Sequence, residues 1–158
     1  NWSPHQIVAD NDTLQAGNPA PLVDYSDPQF PQGRIFLLYN TGNASEQAVR
    51  EGKGIREVLF ITSTDHGQSW SQPVNITTQV HRPLQPDFNP DYQYPADWRS
   101  YALTPGHAFQ TSSGRLFIPA NHSEGPPQAH FNEYRSHALF SDDHGQSWQL
   151  SPNVDIPS

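Results

Sequence analysis

The sequence predicts an all-β fold, and three observations lead to this prediction. Sixteen prolines and ten glycines interrupt the 158 residues every few positions, which favours short strands joined by loops. No stretch carries apolar residues at helical spacing for more than two turns. An octapeptide of the form Ser-x-Asp-x-Gly-x-Ser-Trp occurs twice, as STDHGQSW at 63–70 and SDDHGQSW at 141–148, so the chain contains an internal repeat.

Three predicted strands precede the first octapeptide. They are PAPLVD at 19–24, GRIFLLY at 33–39 and EVLFIT at 57–62, which are rich in apolar and β-branched residues and separated by turn residues. A short fourth strand is predicted in SWSQP at 69–73, directly after the turn. The first repeat is therefore predicted to contain four consecutive strands.

The second repeat has the same order of segments. Its predicted strands are GHAFQT at 106–111, GRLFIPA at 114–120, SHALF at 136–140 and SWQL at 147–150. A meander of four strands that recurs along a chain is the sequence signature of β-propeller blades. We therefore expect two such blades.

The repeat also divides the chain into blades and connections. The first four residues, NWSP, resemble the end of a further octapeptide, so we expect an internal segment of a larger propeller whose remaining blades are its partners. The expected divisions are 1–16 as the outer strand and linker of a preceding blade, 17–73 as a blade, 74–105 as an inter-blade loop, 106–150 as a second blade and 151–158 as a tail.

Each fixed position of the octapeptide has a structural role in a tight turn. The aspartate accepts backbone N–H bonds, the glycine supplies a positive φ, the first serine satisfies turn donors and the tryptophan buries apolar area between blades. These residues are Ser63, Asp65, Gly67 and Trp70 in the first copy and Ser141, Asp143, Gly145 and Trp148 in the second.

A catalytic interpretation of the octapeptide is the alternative. Asp65 or Asp143 would then be a glycosidase carboxylate, and His66 or His144 a base. A motif that occurs once per blade is better explained by a need that every blade has.

Topology separates this turn from the longest loops. In an antiparallel meander the turns between the third and fourth strands share one face, and the connections after the second and fourth strands share the other. The long segments 40–56, 74–105 and 121–135 therefore lie opposite the octapeptides. We expect function on that face, which we call the pocket face.

Composition excludes several kinds of partner. Eight Lys and Arg against sixteen Asp and Glu give a formal charge of −8, which disfavours binding to nucleic acid or to an anionic membrane surface. The absence of cysteine excludes disulfides and thiolate chemistry, and the eight histidines lack compact metal-ligand spacing, so no metal is predicted. A secreted or periplasmic location is expected rather than a cytoplasmic one.

The octapeptide has the pattern of the Asp box, and its wider context resembles one enzyme family. The stretches GNPAPLVD, GRIFLLY, DWRSYALTPGHAFQT, GRLFIPANHS and SHALFSDDHGQSW occur in the order found in bacterial exo-sialidases (neuraminidases) with BNR repeats. The resemblance implies a six-bladed propeller that hydrolyses terminal sialic acids from glycoconjugates with retention of configuration. It implies neither a metal nor an organic cofactor.

The resemblance also implies where the chemistry lies. The family uses three arginines for the substrate carboxylate, a tyrosine nucleophile paired with a glutamate, and an aspartate acid/base. By the order of motifs, one arginine and the aspartate precede Asn1, and the other members follow Ser158. No catalytic residue is therefore expected in this chain, and the segment alone is expected to be inactive.

Part of the pocket wall is carried over by the same resemblance. The residues at matching positions are Asn18, Glu46, Trp98, Tyr101, Asn121, His122 and Ser123. Glu46 is implied to face the glycerol side chain of the sugar, with a solvated loop charge paired with Arg50 as the alternative. Trp98 and Tyr101 are alternatively packing residues. Arg34, Arg99 and Arg115 are predicted to be structural.

Two rival functions keep the same fold. A non-catalytic Asp-box propeller would act as a carbohydrate-binding or protein-interaction scaffold, and another glycoside hydrolase would act on a different sugar. The stretches DWRSYALTPGH and RLFIPANH favour a sialidase.

Overall fold

The structure is a computed structural model that describes residues 4–124 and 134–154. Its first sheet is an antiparallel meander in the order β1 (Gln15–Asp24), β2 (Arg34–Gly42), β3 (Arg56–Ser63) and β4 (Val74–Asn75). The short helices α1 (Glu46–Arg50) and α2 (Thr77–Val80) follow β2 and β4. No helix in the described part of the chain has the length and apolar character needed to cross a membrane.

The second sheet repeats this meander with a divided first strand. It contains β5 (Tyr101–Leu103), β6 (Phe109–Gln110), β7 (Leu116–Ser123), β8 (Tyr134–Ser141) and β9 (Gln149–Leu150). Both β5 and β6 pair with β7, which pairs with β8, and β8 pairs with β9. The predicted all-β fold with two four-stranded units is confirmed.

The segment 74–105, which the repeat predicts to be an inter-blade loop, is irregular only in part. The segment contains β4, α2 and β5, so the first blade extends beyond 73 and the second begins before 106. Prolines explain both shifts, because a proline has no N–H to donate to a ladder. Before Pro73, Ser71 N–H donates to Thr62 O of β3 at 2.8 Å, but the ladder pairs of β4 lie after this proline. Pro105 lies in the interruption between β5 and β6.

The outer strand and linker predicted for 1–16 lie partly outside the described residues, which begin at residue 4. Residues 4–14 form no strand, and β1 begins at Gln15. A strand needs a partner to satisfy its backbone groups, and no described strand pairs with 4–14, although residues 6–9 lie against β1 and β2. Residues 1–3, part of the second pocket-face loop (125–133) and the end of the tail (155–158) lie outside the described residues.

One hydrophobic core joins the two sheets. Apolar residues alternate along β2 and β7, so that Phe36 and Leu38 on one sheet and Leu116 and Ile118 on the other are fully buried in the same cluster. Trp148 enters this cluster from the second Asp box. The core therefore lies between the blades and fixes their relative positions.

Candidate functional site

The first Asp box is a turn closed by its own side chains. Asp65 Oδ1 accepts a hydrogen bond from Ser69 N–H at 2.9 Å, and Ser63 Oγ accepts one from Gly67 N–H at 2.9 Å. The Ser63 hydroxyl in turn donates to Asp65 Oδ1 at 2.8 Å. The pKa of Asp65 is lowered to about 2 by its hydrogen bonds, of which the one from the Ser69 hydroxyl has the largest effect, followed by those from the Ser69 N–H and the Ser63 hydroxyl. A carboxylate that stays ionised at neutral pH is a poor general acid.

The second Asp box repeats this geometry. Asp143 accepts from Ser147 N–H at 2.9 Å, Ser141 accepts from Gly145 N–H at 2.8 Å, and Ser141 donates to Asp143 at 2.7 Å. Partial burial alone would raise the pKa of Asp143, but the hydroxyl and N–H of Ser147 and the hydroxyl of Ser141 together lower it. Equal bonding in both copies supports a structural role for the turn.

The two copies differ in what surrounds them. Trp148 is 4% exposed and packs on Phe36 and Phe60 of the first sheet, whereas Trp70 is half-buried and donates to its own turn at Gly67 O, 3.1 Å away. A Cβ at Gly145 would lie 2.5 Å from the Phe36 ring, but a Cβ at Gly67 would have no atom nearer than 3.7 Å.

One cluster on the Asp-box face combines groups that ligate metals. Potential ligand atoms of Asp24, Asp27 and His144 lie within 4.8 Å of one another. However, Arg34 donates to Asp27 Oδ2 at 3.0 Å and to the His144 carbonyl, and Asp24 already accepts from His144 Nδ1 at 2.8 Å. These residues form an ion-pair network in which the Arg34 guanidinium supplies the cation, so they fit a structural contact between blades better than a metal centre.

On the pocket face, Glu46 stands at the start of α1 and is held through both oxygens. Oε2 accepts from Arg56 at 2.8 Å and Oε1 from the Ser100 hydroxyl at 2.7 Å, whereas Arg50 Nε is 3.6 Å away. The Glu46 side chain remains 41% exposed, beside a cleft of about 390 Å³ that it lines together with Arg56 and residues 13–15. Arg56 is thus the nearer cation, and the carboxylate keeps access to solvent.

Ser123 belongs to the same connection between blades. Its hydroxyl accepts from Ser100 N–H at 2.9 Å, and its own N–H donates to Ser100 O at 3.0 Å. Ser123 is fully buried. It therefore supports the Ser100 hydroxyl that binds Glu46, and it does not face a pocket itself.

Asn18 lies in a β-bulge of β1, with a positive φ of 53°. Its Nδ2 donates to Asn40 Oδ1 at 3.2 Å. The fully buried Asn40 also accepts from Leu103 N–H at 3.0 Å and donates to Glu57 O at 3.1 Å, which ties the two sheets together. Sequence reasoning missed Asn40, although a polar residue at the end of an apolar strand segment was a usable signal.

Trp98, Tyr101 and His122 meet in a second pocket-face cluster. The Trp98 ring stacks on His122 with centroids 3.4 Å apart and planes at 11°. Tyr101 Oη is 3.1 Å from His137 Nε2, and the two histidines approach through their Nδ1 atoms at 3.0 Å. Sequence reasoning missed His137 because nothing in SHALF distinguishes a buried histidine from an exposed one.

Asn121 lies on the opposite face of β7 from His122. It is half-buried and lines a cleft of about 290 Å³ with Thr104, Pro119 and Ser136, and His137 also borders this cleft. Successive side chains of a strand point to opposite faces, so Asn121 and His122 cannot line one pocket together. The structure therefore joins Glu46 with Ser123 and joins Trp98 with Tyr101 and His122, and it sets Asn121 apart.

Two adjacent four-stranded meanders with an Asp box at each final turn define blades of a β-propeller. The chain belongs to the family described as a BNR repeat-like domain, which matches residues 1–155. Sialidase-2 of Cricetulus griseus is 29% identical over 155 residues, and the match covers 94% of this chain and 37% of that protein. Sialidase-4 of Mus musculus is 31% identical over 149 residues, covering 87% of this chain and 28% of that protein.

Solved sialidase structures share the fold. The Hadza microbial sialidase Hz136 superposes with a TM-score of 0.72 at 23% identity, over 98% of this chain and 29% of that one. Trypanosoma rangeli sialidase gives a TM-score of 0.64 at 17% identity, over 95% of this chain and 24% of that one. The predicted propeller blades and the predicted resemblance to sialidases are confirmed, and the chain spans about a third of the length of the curated relatives.

Proposed function

We propose that this chain forms two blades of an exo-α-sialidase, which hydrolyses terminal sialic acids from glycoconjugates with retention of configuration. The supporting observation is that nearly the whole chain, including both Asp boxes and the pocket-face segments, matches sialidases in order and in fold. Sialylated glycans are the proposed substrates. The catalytic arginines, tyrosine, glutamate and aspartate would come from parts of the protein outside 1–158, in a secreted or periplasmic enzyme.

Within this chain we propose a pocket wall with unequal contributions. Glu46 combines an exposed carboxylate with two fixed oxygen positions, which suits an acceptor for sugar hydroxyls such as those of the glycerol side chain. Trp98 and Asn18 are half-buried and would border the pocket. Tyr101, His122 and Ser123 are buried and would support it from behind, and Asn121 would contribute from the adjoining cleft.

The experiment is hydrolysis of a fluorogenic sialoside by the full-length protein and its Glu46→Gln variant. Loss of one charge-assisted hydrogen bond to a hydroxyl is worth about 1.5–3 kcal/mol, so we expect KM to rise at least about tenfold with kcat nearly unchanged. Glu51→Gln is the matched control, because Glu51 lies at the end of the same helix and pairs with Lys53 instead.

The outcomes separate the rival functions. Binding of sialylated glycans without turnover by the full-length protein would favour the non-catalytic scaffold, and turnover of another glycoside alone would favour a different hydrolase. Turnover of the sialoside by the 158-residue chain alone would contradict the proposed placement of the catalytic residues.

A further inference from the structure

Four buried or half-buried side chains form a continuous hydrogen-bonded chain across β5, β7 and β8. Tyr101 Oη is 3.1 Å from His137 Nε2, His137 Nδ1 is 3.0 Å from His122 Nδ1, and His122 Nε2 is 3.0 Å from Glu124 Oε1. Tyr101, His122 and His137 are each at most 4% exposed. His122 is thus enclosed, whereas His137 borders the cleft of about 290 Å³ and also bonds to the backbone of Arg135.

The direction of every bond follows from the carboxylate at one end. An ionised Glu124 only accepts, so His122 Nε2 carries a hydrogen and, in a neutral ring, His122 Nδ1 is a bare acceptor. His137 Nδ1 must then carry the hydrogen in the 3.0 Å contact, which leaves His137 Nε2 to accept from the Tyr101 hydroxyl. When both rings are neutral, the two histidines are therefore in opposite tautomers.

The surroundings offer little compensation for an added positive charge. Glu124 is the anion in contact with the pair, and it is already shared with Asn153 at 3.3 Å and with Arg135 of β8 at 3.6 Å. From the segment after α2, the fully buried His81 contacts the Tyr101 ring, and Arg82 contributes a further positive charge. The other face of the cluster is covered by Trp98.

We propose that His122 and His137 form an acid-operated latch that holds the pocket-side ends of β5, β7 and β8 together when both rings are neutral and releases them when protons are added. A first proton, taken from solvent, leaves a hydrogen on His137 Nε2, either by direct addition or by reversal of the bond between the rings, and so removes the acceptor for the Tyr101 hydroxyl. A second proton places two N–H groups against each other at the 3.0 Å contact. This device is independent of the proposed hydrolysis.

The way in which stability changes with pH follows from the pKa values of the two histidines in the folded and unfolded chain. Burial, followed by the nearby charge on His122, lowers the pKa of His137 to about 4 despite a hydrogen bond to the Arg135 backbone that raises it. Burial also outweighs Glu124 in lowering the pKa of His122. An unfolded histidine titrates near pH 6.5, so the unfolded chain binds protons first as the pH falls. Stability is therefore complete above about pH 6.5 and decreases progressively towards pH 4.

The first test measures tautomers directly on the folded full-length protein. Two-bond ¹H–¹⁵N correlation spectra at pH 7.5 should show His122 protonated at Nε2 and His137 protonated at Nδ1. The same tautomer in both rings, or a charged ring at this pH, would overturn the proposal. This measurement needs no variant, so it remains decisive even where a substitution prevents folding.

The second test measures the unfolding equilibrium against pH by urea denaturation of the full-length protein. For each unit by which the pH falls between pH 6 and 4.5, each latch histidine should raise the equilibrium constant for unfolding by up to about tenfold. His137→Asn retains a donor near the Nδ1 position but does not titrate. In this variant the slope of the unfolding free energy against pH should correspond to the uptake of up to one proton fewer on unfolding. His107→Asn, at an exposed position, is the control and should leave the slope unchanged. An unchanged slope in His137→Asn would refute the latch.

Discussion

Trp148 provides the most direct test of how the two blades are held together. It belongs to the second Asp box but is 4% exposed among residues of the first sheet, with ring centroids 6.3 Å from Phe36 and 6.0 Å from Phe60. Removal of the indole removes roughly 200 Å² of buried apolar surface. At about 25 cal/mol per Å² this amounts to about 5 kcal/mol, an upper value because denatured chains already bury some apolar surface.

We therefore expect Trp148→Ala to lower the free energy of unfolding by about 4 kcal/mol, within the range of about 3–5 kcal/mol typical of such truncations. Trp148→Phe should cost less than about 1.5 kcal/mol. It keeps a ring against Phe36 and Phe60, and it removes an indole N–H that has no hydrogen-bond partner in the described part of the protein.

The assay is urea denaturation followed by far-ultraviolet circular dichroism, because the substitutions themselves alter tryptophan fluorescence. Tyr25→Ala is the control, since Tyr25 is an aromatic residue on the same face that is 72% exposed, and its loss should cost at most about 0.5 kcal/mol. Equal costs for Trp148→Phe and Trp148→Ala, or equal costs for Trp148→Ala and Tyr25→Ala, would refute the packing argument.

Two further predictions concern polar contacts between and within the blades. Asn40→Leu should lower the free energy of unfolding by about 2 kcal/mol, because it leaves the Leu103 N–H buried without its acceptor. Hydrogen exchange at the Leu103 amide should accelerate, and an unchanged exchange rate would contradict this role of Asn40. Arg34→Ala should cost about 3 kcal/mol because Asp27 is 5% exposed and loses its cation. Arg115→Ala breaks the exposed ion pair with Asp142 and should lower the free energy of unfolding by less than about 1 kcal/mol. Equal destabilisation of the two arginine variants in thermal denaturation would show that burial of the ion pair makes no difference.

The parts of the fold that the sequence predicted are those encoded by local patterns. The central strands β2, β3, β7 and β8 each carry a run of apolar and β-branched residues long enough to recognise. The strands β4 and β5 have two and three residues and lie in a proline-rich segment. Their pairing depends on the neighbouring strand, so periodicity within the segment could not reveal it.

The candidate site was harder to predict because its contacts join distant parts of the chain. The alternative interpretation of Glu46 as a solvated loop charge paired it with Arg50, but the nearer cation is Arg56, which β3 brings beside α1. Likewise, His137 meets His122 only because β7 and β8 pair in one register. Sequence alone indicates the residue types available for a site, and strand register determines which of them touch.

The crowding of Gly145 against Phe36 has a consequence for how the repeat can change over time. The two octapeptides share nearly all their letters, yet position 67 is constrained by backbone conformation alone, and position 145 by conformation and space together. An L-alanine at 67 should therefore meet only the strain of a positive φ, whereas at 145 its Cβ should also clash with the Phe36 ring. Two identical residues at equivalent positions of a repeat can therefore differ in the substitutions that they tolerate, because they contact different neighbours.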